Sequence, residues 1–171
     1  MKCAERRAAR RVTSLLLSLL WSLTLAGTLS AKSETVKMTI AGGDLARPVE
    51  VTESWILAKV NIWVGPGNTL NGVPDTRDGF VMWSEGAIAG PAKALPQYEV
   101  SIYGRSPEER ILYVILFRYD SAARQGYVYL PGKGEKWYDV NVRTITRGVE
   151  GHWFRASPDF DNVFEHLIPK P

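Results

Sequence analysis

The chain has 171 residues, with 21 Lys and Arg against 18 Asp and Glu, and a single cysteine, Cys3. Five of the basic residues and one of the acidic residues precede position 32, so residues 32–171 keep 16 basic and 17 acidic side chains. This near-neutral balance gives no electrostatic reason to expect nucleic acid or an anionic membrane surface as a partner, and we predict neither.

Residues 1–31 have the layout of a secretory signal peptide. A basic start precedes an apolar stretch over residues 12–29, and small residues then lead to Ala31. The positive end stays on the cytoplasmic side while the apolar stretch enters the membrane. We predict cleavage after Ala31 and export to the periplasm or the extracellular space. The alternative is an uncleaved anchor, because a stretch of this length can span a bilayer.

Cleavage of this leader would also remove Cys3, so the domain over residues 32–171 would have neither disulfides nor thiol chemistry. Exported eukaryotic domains often carry disulfides, and their absence here favours a bacterial protein. The length of 32–171 is that of one domain with its own core.

The first half of this domain alternates short strands with turn-rich segments. Residues 35–40 and 47–51 predict strands, and residues 53–62 predict a short helix, with a strand as the alternative. Turn residues dominate 64–78, which predicts a long loop without regular structure. Residues 80–83 predict another short strand.

The strongest β-signal follows in the second half. Residues 97–103 alternate between apolar and polar, and 111–117 form a continuous apolar run that predicts a strand covered on both faces. Residues 126–130 predict the return strand of a hairpin. Residues 137–145 alternate again, with Tyr and Val against Asp, Asn and Arg, and predict a long strand.

The C-terminus changes to a helical period. Its apolar stripe consists of Phe160, Val163, Phe164, Leu167 and Ile168. Ser157 is placed as the N-cap and Pro158 as the first helical residue. About seven strands with two short helices predict an all-β, mainly antiparallel fold: a β-sandwich or open barrel with a short helix near 53–62 and a C-terminal amphipathic helix.

One short segment could host acid–base chemistry. Glu150 and His152 lie there between Arg147 and Arg155, and a hydrolase using His152 with Glu150 is one hypothesis. The alternative is a turn that Trp153 anchors to the core and whose charges are solvated.

We predict no metal ion and no cofactor. The two histidines of the chain are fourteen positions apart and match no zinc spacing. Asp75 and Asp78, with Asn68 and Asn71, could supply oxygens to calcium, but no EF-hand pattern is present in the sequence and the ordinary use of Asn and Asp in turns explains these residues. A nucleophile-elbow motif is absent from the sequence.

Tryptophans and arginines are the other candidates for binding. We place a candidate ligand-binding set at Trp63, Trp137, Trp153, Arg147 and Arg155. Exposed aromatic side chains stack on sugar rings and anchor protein interfaces. The alternative is that most of them fill the core.

Two segments, GYVYLPGKGEKWY (126–138) and RGVEGHWFRAS (147–157), resemble short secreted bacterial proteins of uncharacterised function. The resemblance implies an exported bacterial domain and transfers no activity and no site residues. We therefore expect a non-catalytic protein-interaction or structural module of the cell envelope or the extracellular space, with an envelope protein or a glycan as partner. A carbohydrate-binding module and a hydrolase are the alternatives, and the oligomeric state stays open.

Overall fold

Strands account for most of the regular structure. They are β1 (Thr35–Gly42), β2 (Val49–Val51), β3 (Thr69–Leu70), β4 (Val73–Pro74), β5 (Gln97–Arg105), β6 (Glu109–Asp120), β7 (Gln125–Tyr129) and β8 (Trp153–Arg155). The computed structural model describes residues 33–105 and 107–168. Six of these strands form one sheet in the order β2–β1–β5–β6–β7–β8, with every neighbouring pair antiparallel.

Three short helices complete the described part of the chain. They are α1 (Ser54–Leu57), α2 (Tyr138–Thr144) and α3 (Pro158–Leu167). A single 3₁₀ turn covers Trp83–Glu85. The prediction of a mainly antiparallel β-fold with a short helix near 53–62 and a C-terminal helix is therefore confirmed.

The predicted signal peptide, residues 1–31, lies outside the described residues. Across 33–105 and 107–168, no helix combines the length and the apolar character needed to cross a membrane.

Helix α3 closes the core on one side of the sheet. Ser157 caps it by accepting a hydrogen bond from the Phe160 amide at 3.3 Å, as the sequence predicts. The Phe160 ring meets Phe117 of β6 edge-on at 5.1 Å, and Phe164 meets Tyr98 of β5 at 4.9 Å. Burial of each such side chain stabilises the fold by about 1.5–3 kcal/mol, so α3 is tied firmly to the two longest strands.

The predicted strand over 137–145 is wrong, because residues Tyr138–Thr144 form helix α2. Asn141, assigned to the polar face of that strand, is fully buried. Its Oδ1 accepts from the Val114 amide at 2.8 Å, and its Nδ2 donates to the Val114 carbonyl at 2.7 Å. The alternation was misleading because the Asn141 side chain supplies the two hydrogen bonds that a neighbouring strand would otherwise form with Val114 of β6.

Two smaller predictions also need correction. The loop over 64–78 contains the hairpin β3–β4, whose turn residues Asn71 and Gly72 both have positive φ, as a two-residue hairpin turn requires. The predicted strand over 80–83 is reduced to one bridge, Val81 with Ala156, before the 3₁₀ turn begins.

Replacement of Asn141 by Ala tests the role of this buried amide. The variant leaves the Val114 amide and carbonyl without partners, and we expect the free energy of unfolding to fall by about 3 kcal/mol. Urea denaturation followed by circular dichroism measures it. Arg143→Ala, at an exposed position of the same helix, is the control and should change stability by about 0.5 kcal/mol or less. Equal losses in both variants would contradict this role.

Candidate functional site

The side of the sheet opposite α3 carries a set of half-buried aromatic and basic side chains. We call it the aromatic face and define it as Leu116, Arg118, Tyr127, Tyr129 and Trp153. Cross-strand register aligns Leu116 with Tyr129 and Tyr129 with Trp153, and it aligns Arg118 with Tyr127. Because side chains alternate along a strand, these five share one face, while Phe117 and Val128 point to the core.

The centre of the aromatic face is a packed group of three side chains. The rings of Tyr129 and Trp153 are 5.0 Å apart at 40°. The Arg118 guanidinium lies over the Trp153 ring at 5.0 Å, within cation–π range. Arg118 also donates from Nη2 to the Gln97 Oε1 at 3.0 Å. It forms no ion pair with any described carboxylate, so its charge is not neutralised by a neighbour.

Trp137 borders the aromatic face on the β5 side. Its Nε1 donates to Glu99 Oε2 at 2.7 Å, and Glu99 is the β5 residue aligned with Leu116. The Lys136 ammonium lies 4.5 Å above the Trp137 ring and also binds Glu99, at 2.9 Å. The Trp137 backbone has φ 78°, in the left-handed region, and this turn leads directly into α2.

The structure brings three of the five predicted ligand-binding residues to this region. Trp153 lies in the aromatic face and Trp137 borders it. Arg155 is aligned with Tyr127, but its guanidinium extends towards the end of the sheet. There its Nη1 donates to Gln125 Oε1 at 3.1 Å, and its Nε pairs with Glu85 at 3.1 Å.

Trp63 and Arg147 lie elsewhere. The half-buried Trp63 packs against the core, and its Nε1 donates to the Ser33 carbonyl at 2.9 Å. Arg147 is buried, with only 4% of its surface exposed, so it is not available as a surface ligand contact.

The Arg147 guanidinium anchors the segment over residues 62–66. Its nitrogens donate to the carbonyls of Ile62, Val64 and Pro66 at 2.6, 3.2 and 2.9 Å. Its Nε donates to the Tyr113 hydroxyl at 3.1 Å, which ties the same group to β6. The guanidinium of arginine carries donors on three nitrogens in one plane and can therefore reach all four acceptors at once. The ammonium of lysine has its donors on a single nitrogen and cannot.

His152 and Glu150 do not share a cleft. His152 lines a small cleft of about 200 Å³ with Trp83, Val149 and Phe154, and the described lining does not include Glu150. The Glu150 carboxylate accepts from the Arg147 amide at 2.6 Å, which closes the turn before His152. The His152 imidazole forms a hydrogen bond with the carbonyl of Glu150, through Nδ1 at 3.1 Å.

A larger cleft of about 300 Å³ opens where the β6–β7 hairpin meets α3, and we call it the polar cleft. Its polar lining consists of Glu85, Tyr119, Arg124, Gln125, Arg155, Asp161 and Asn162. Arg124 binds Glu165 through Nε at 3.2 Å and Nη2 at 3.0 Å, and the Tyr119 hydroxyl donates to the same carboxylate. The cleft is therefore rimmed by ion pairs that are already formed.

Asp161 is the unusual group of the polar cleft. Only 7% of its surface is exposed, and its Oδ1 has no hydrogen-bond partner among the described residues. Burial raises the pKa of Asp161 to about 6; the nearby backbone N–H of Gly126 opposes this shift, and the charge of Glu165 adds to it. Gly126 lies against this oxygen at a distance that leaves no room for a Cβ, which explains glycine at that strand position.

The turn carboxylates considered for calcium have local partners. Asp75 binds the Arg77 guanidinium at 2.9 and 2.8 Å, and this contact holds the pKa of Asp75 below its ordinary value. Asp78 accepts from the amide and the hydroxyl of Ser84. Among residues 33–105 and 107–168, no group of three or more His, Cys, Asp or Glu side chains could hold a metal ion.

Sequence reasoning missed Arg118 and Asp161. Arg118 directly follows the apolar run of β6, and only the strand register shows that it meets Trp153. Asp161 reads as an ordinary acidic residue in the first turn of a helix. Its burial depends on how α3 packs against the sheet, which no local pattern encodes.

Comparison of the chain with protein-family models, with curated proteins and with solved structures gives no match.

Arg147→Lys tests whether Arg147 acts as a buried anchor. Lysine keeps the charge but cannot reach three carbonyls and a hydroxyl together, so we expect the free energy of unfolding to fall by about 3 kcal/mol. Chemical denaturation measures the loss. The control, Arg143→Lys, changes an exposed arginine of α2 and should leave stability unchanged. A stable Arg147→Lys variant would contradict the anchoring role.

Asp161→Asn tests the buried carboxyl through pH. The pKa of Asp161 is raised from an ordinary 3.8 to about 6 on folding, so its stabilising contribution is complete below pH 3.8 and is lost as pH rises through 6. Asparagine mimics the protonated form, so we expect the unfolding free energy of Asp161→Asn, relative to that of the unmodified protein, to rise by up to about 2 kcal/mol between pH 4.5 and pH 8. Thermal unfolding across this range measures the difference.

The control for this experiment is Asp159→Asn, an exposed position on the same helix whose carboxylate pairs with Lys59. It should leave the pH dependence of unfolding close to that of the unmodified protein. A pH profile that Asp161→Asn does not alter would show that Asp161 titrates normally.

Proposed function

We propose that the chain is an exported bacterial protein whose domain, residues 32–171, is a non-catalytic protein-interaction module that binds its partner through the aromatic face. The observation that carries this proposal is the grouping of Tyr127, Tyr129, Trp153 and Arg118 on the sheet side opposite α3. Trp, Tyr and Arg are the residue types that dominate binding energy at protein interfaces.

Export is supported by the basic start and apolar stretch of residues 1–31 and by the absence of cysteine from residues 32–171. The aromatic face has the composition expected of an interface centre, with large side chains that order at small entropic cost. Tyr129 and Trp153 already contact each other, so little conformational freedom would be lost on binding.

The chemistry of the partner follows from Arg118. Its guanidinium is held by Gln97 and Trp153 but is not neutralised by any described carboxylate. A partner that places a carboxylate next to Arg118 and an apolar side chain against Tyr127 would satisfy both features of the face. We therefore propose a protein surface with an acidic side chain beside an apolar one.

A glycan partner is less well supported by the same geometry. Stacking on sugars needs an open, flat ring face. The Trp153 ring is already contacted by Arg118, and the Trp137 ring is covered by Lys136. The Tyr129 and Trp153 rings are inclined at 40° and do not form one plane.

Charge reversal at Arg118, combined with photo-cross-linking, tests the proposal. A photoreactive phenylalanine analogue at position 127 of the full chain, expressed in a bacterium, should form a defined protein adduct. Arg118→Glu should reduce that adduct about tenfold or more, because like charges at an interface cost several kcal/mol. The adduct should also weaken as salt concentration rises.

The matched control is Arg110→Glu, which reverses an exposed charge near the other end of β6. It should leave the adduct unchanged, and circular dichroism should show both variants to be folded at the temperature of cross-linking. An adduct that survives Arg118→Glu would overturn the proposed surface. Binding of the protein to a glycan array that Arg118→Glu abolishes would replace the protein partner by a carbohydrate.

A further inference from the structure

The polar cleft is separate from the aromatic face. It lies at the end of the sheet beside α3, and none of the five residues that define the aromatic face contributes to its lining. Its volume of about 300 Å³ is at the lower end of the range for small-molecule sites, which suits a ligand of one ring.

The charges around the polar cleft are paired with one another. Arg124 pairs with Glu165 at 3.0 Å, and Arg155 pairs with Glu85 at 3.1 Å. An anionic ligand would meet Glu85 and the Asp161 carboxyl, and a cationic ligand would meet two guanidinium groups. Both arginines are already paired, and the Asp161 carboxyl, which has no ion pair among the described residues, is neutral below its raised pKa of about 6, so under mildly acidic conditions the site is suited to a neutral ligand.

The groups that line the cleft offer both donors and acceptors. Gln125 and Asn162 each carry an amide, and the two arginines add N–H donors. Asp161 also contributes to the lining, although its Oδ1 is buried against Gly126 and is not the oxygen that a ligand would reach. A ligand with several hydroxyl groups can donate to the carboxyl and accept from the guanidinium and amide nitrogens at the same time.

The remaining lining is apolar. Met82, Ala156 and Pro158 form one part of the wall, and a pyranose ring presents C–H groups between its hydroxyls that can contact such a surface. The polar groups are held on β7, β8 and α3 and are ordered by existing contacts, such as Arg155 with Gln125 at 3.1 Å. Little rearrangement would be needed for a ligand to enter.

From this arrangement we propose that the polar cleft is a binding site for a neutral sugar unit. The site is independent of the protein-interaction surface and requires no catalytic step. The amides of Gln125 and Asn162 and the Asp161 carboxyl are the contacts for sugar hydroxyls, and the guanidinium groups of Arg124 and Arg155 orient the ring.

The test uses protein purified from cells that express the full chain, with glucose, galactose and N-acetylglucosamine as neutral probes. Glucuronic acid and glucosamine are the charged comparisons. At pH 5, saturation-transfer NMR should show contact with at least one neutral sugar, and each charged analogue should bind about tenfold more weakly or worse. Absence of contact with every neutral probe up to its solubility limit would overturn the proposal, and so would equal binding of the charged analogues.

Two variants locate the site. Asn162→Trp places a large side chain at an exposed position of the cleft wall and should abolish sugar contact. Asp159→Trp, at an exposed position of α3 outside the described lining, is the matched control and should keep it. Sugar contact that persists in Asn162→Trp would overturn the assignment to this cleft. Arg118→Glu should leave sugar contact unchanged, which separates this test from that of the aromatic face.

Discussion

The short length of β7 is the constraint on which much of the second half of the domain depends. β7 has five residues and pairs with β6 only from Leu116 to Asp120, whereas β6 has twelve residues. The β6 edge at Val114 therefore needs another partner, because buried backbone groups left unpaired are costly. Asn141 meets this need with two hydrogen bonds.

The position of Asn141 determines the position of its neighbours in the chain. α2 is fixed beside β6, so Trp137 at its start reaches Glu99 on the border of the aromatic face. Arg147, which follows α2, donates a hydrogen bond to the hydroxyl of Tyr113, the residue next to Val114. Its guanidinium also donates to the carbonyls of Ile62, Val64 and Pro66. The hydrogen bonds of Asn141 with Val114 thus hold the segment that carries both Trp137, at the border of the aromatic face, and Arg147, which binds the loop before the small hairpin.

The alternation of side chains along β6 and β7 separates the aromatic side chains of the core from those of the aromatic face. Phe117 and Val128 point towards α3 and fill the core, whereas Tyr127 and Tyr129 stay half-buried on the opposite side. The same sheet therefore presents the aromatic face on one side and, at its end, the polar cleft beside α3. Arg155 connects the two regions, since it is aligned with Tyr127 while its guanidinium lines the cleft.

The sequence by itself determined the elements that have a strong local pattern. The strands over 97–103 and 111–117 and the capped helix from Pro158 were predictable, because periodicity and capping act over a few residues. The tertiary structure decided the rest. Residues 138–144 form a helix although Tyr and Val favour strands locally. The two hydrogen bonds of the buried Asn141 with Val114 of β6 stabilise the helix against that preference. Arg147 became an anchor, and Asp161 became buried, because distant segments pack around them. Contacts of this kind join residues far apart in the chain, and no local pattern records them.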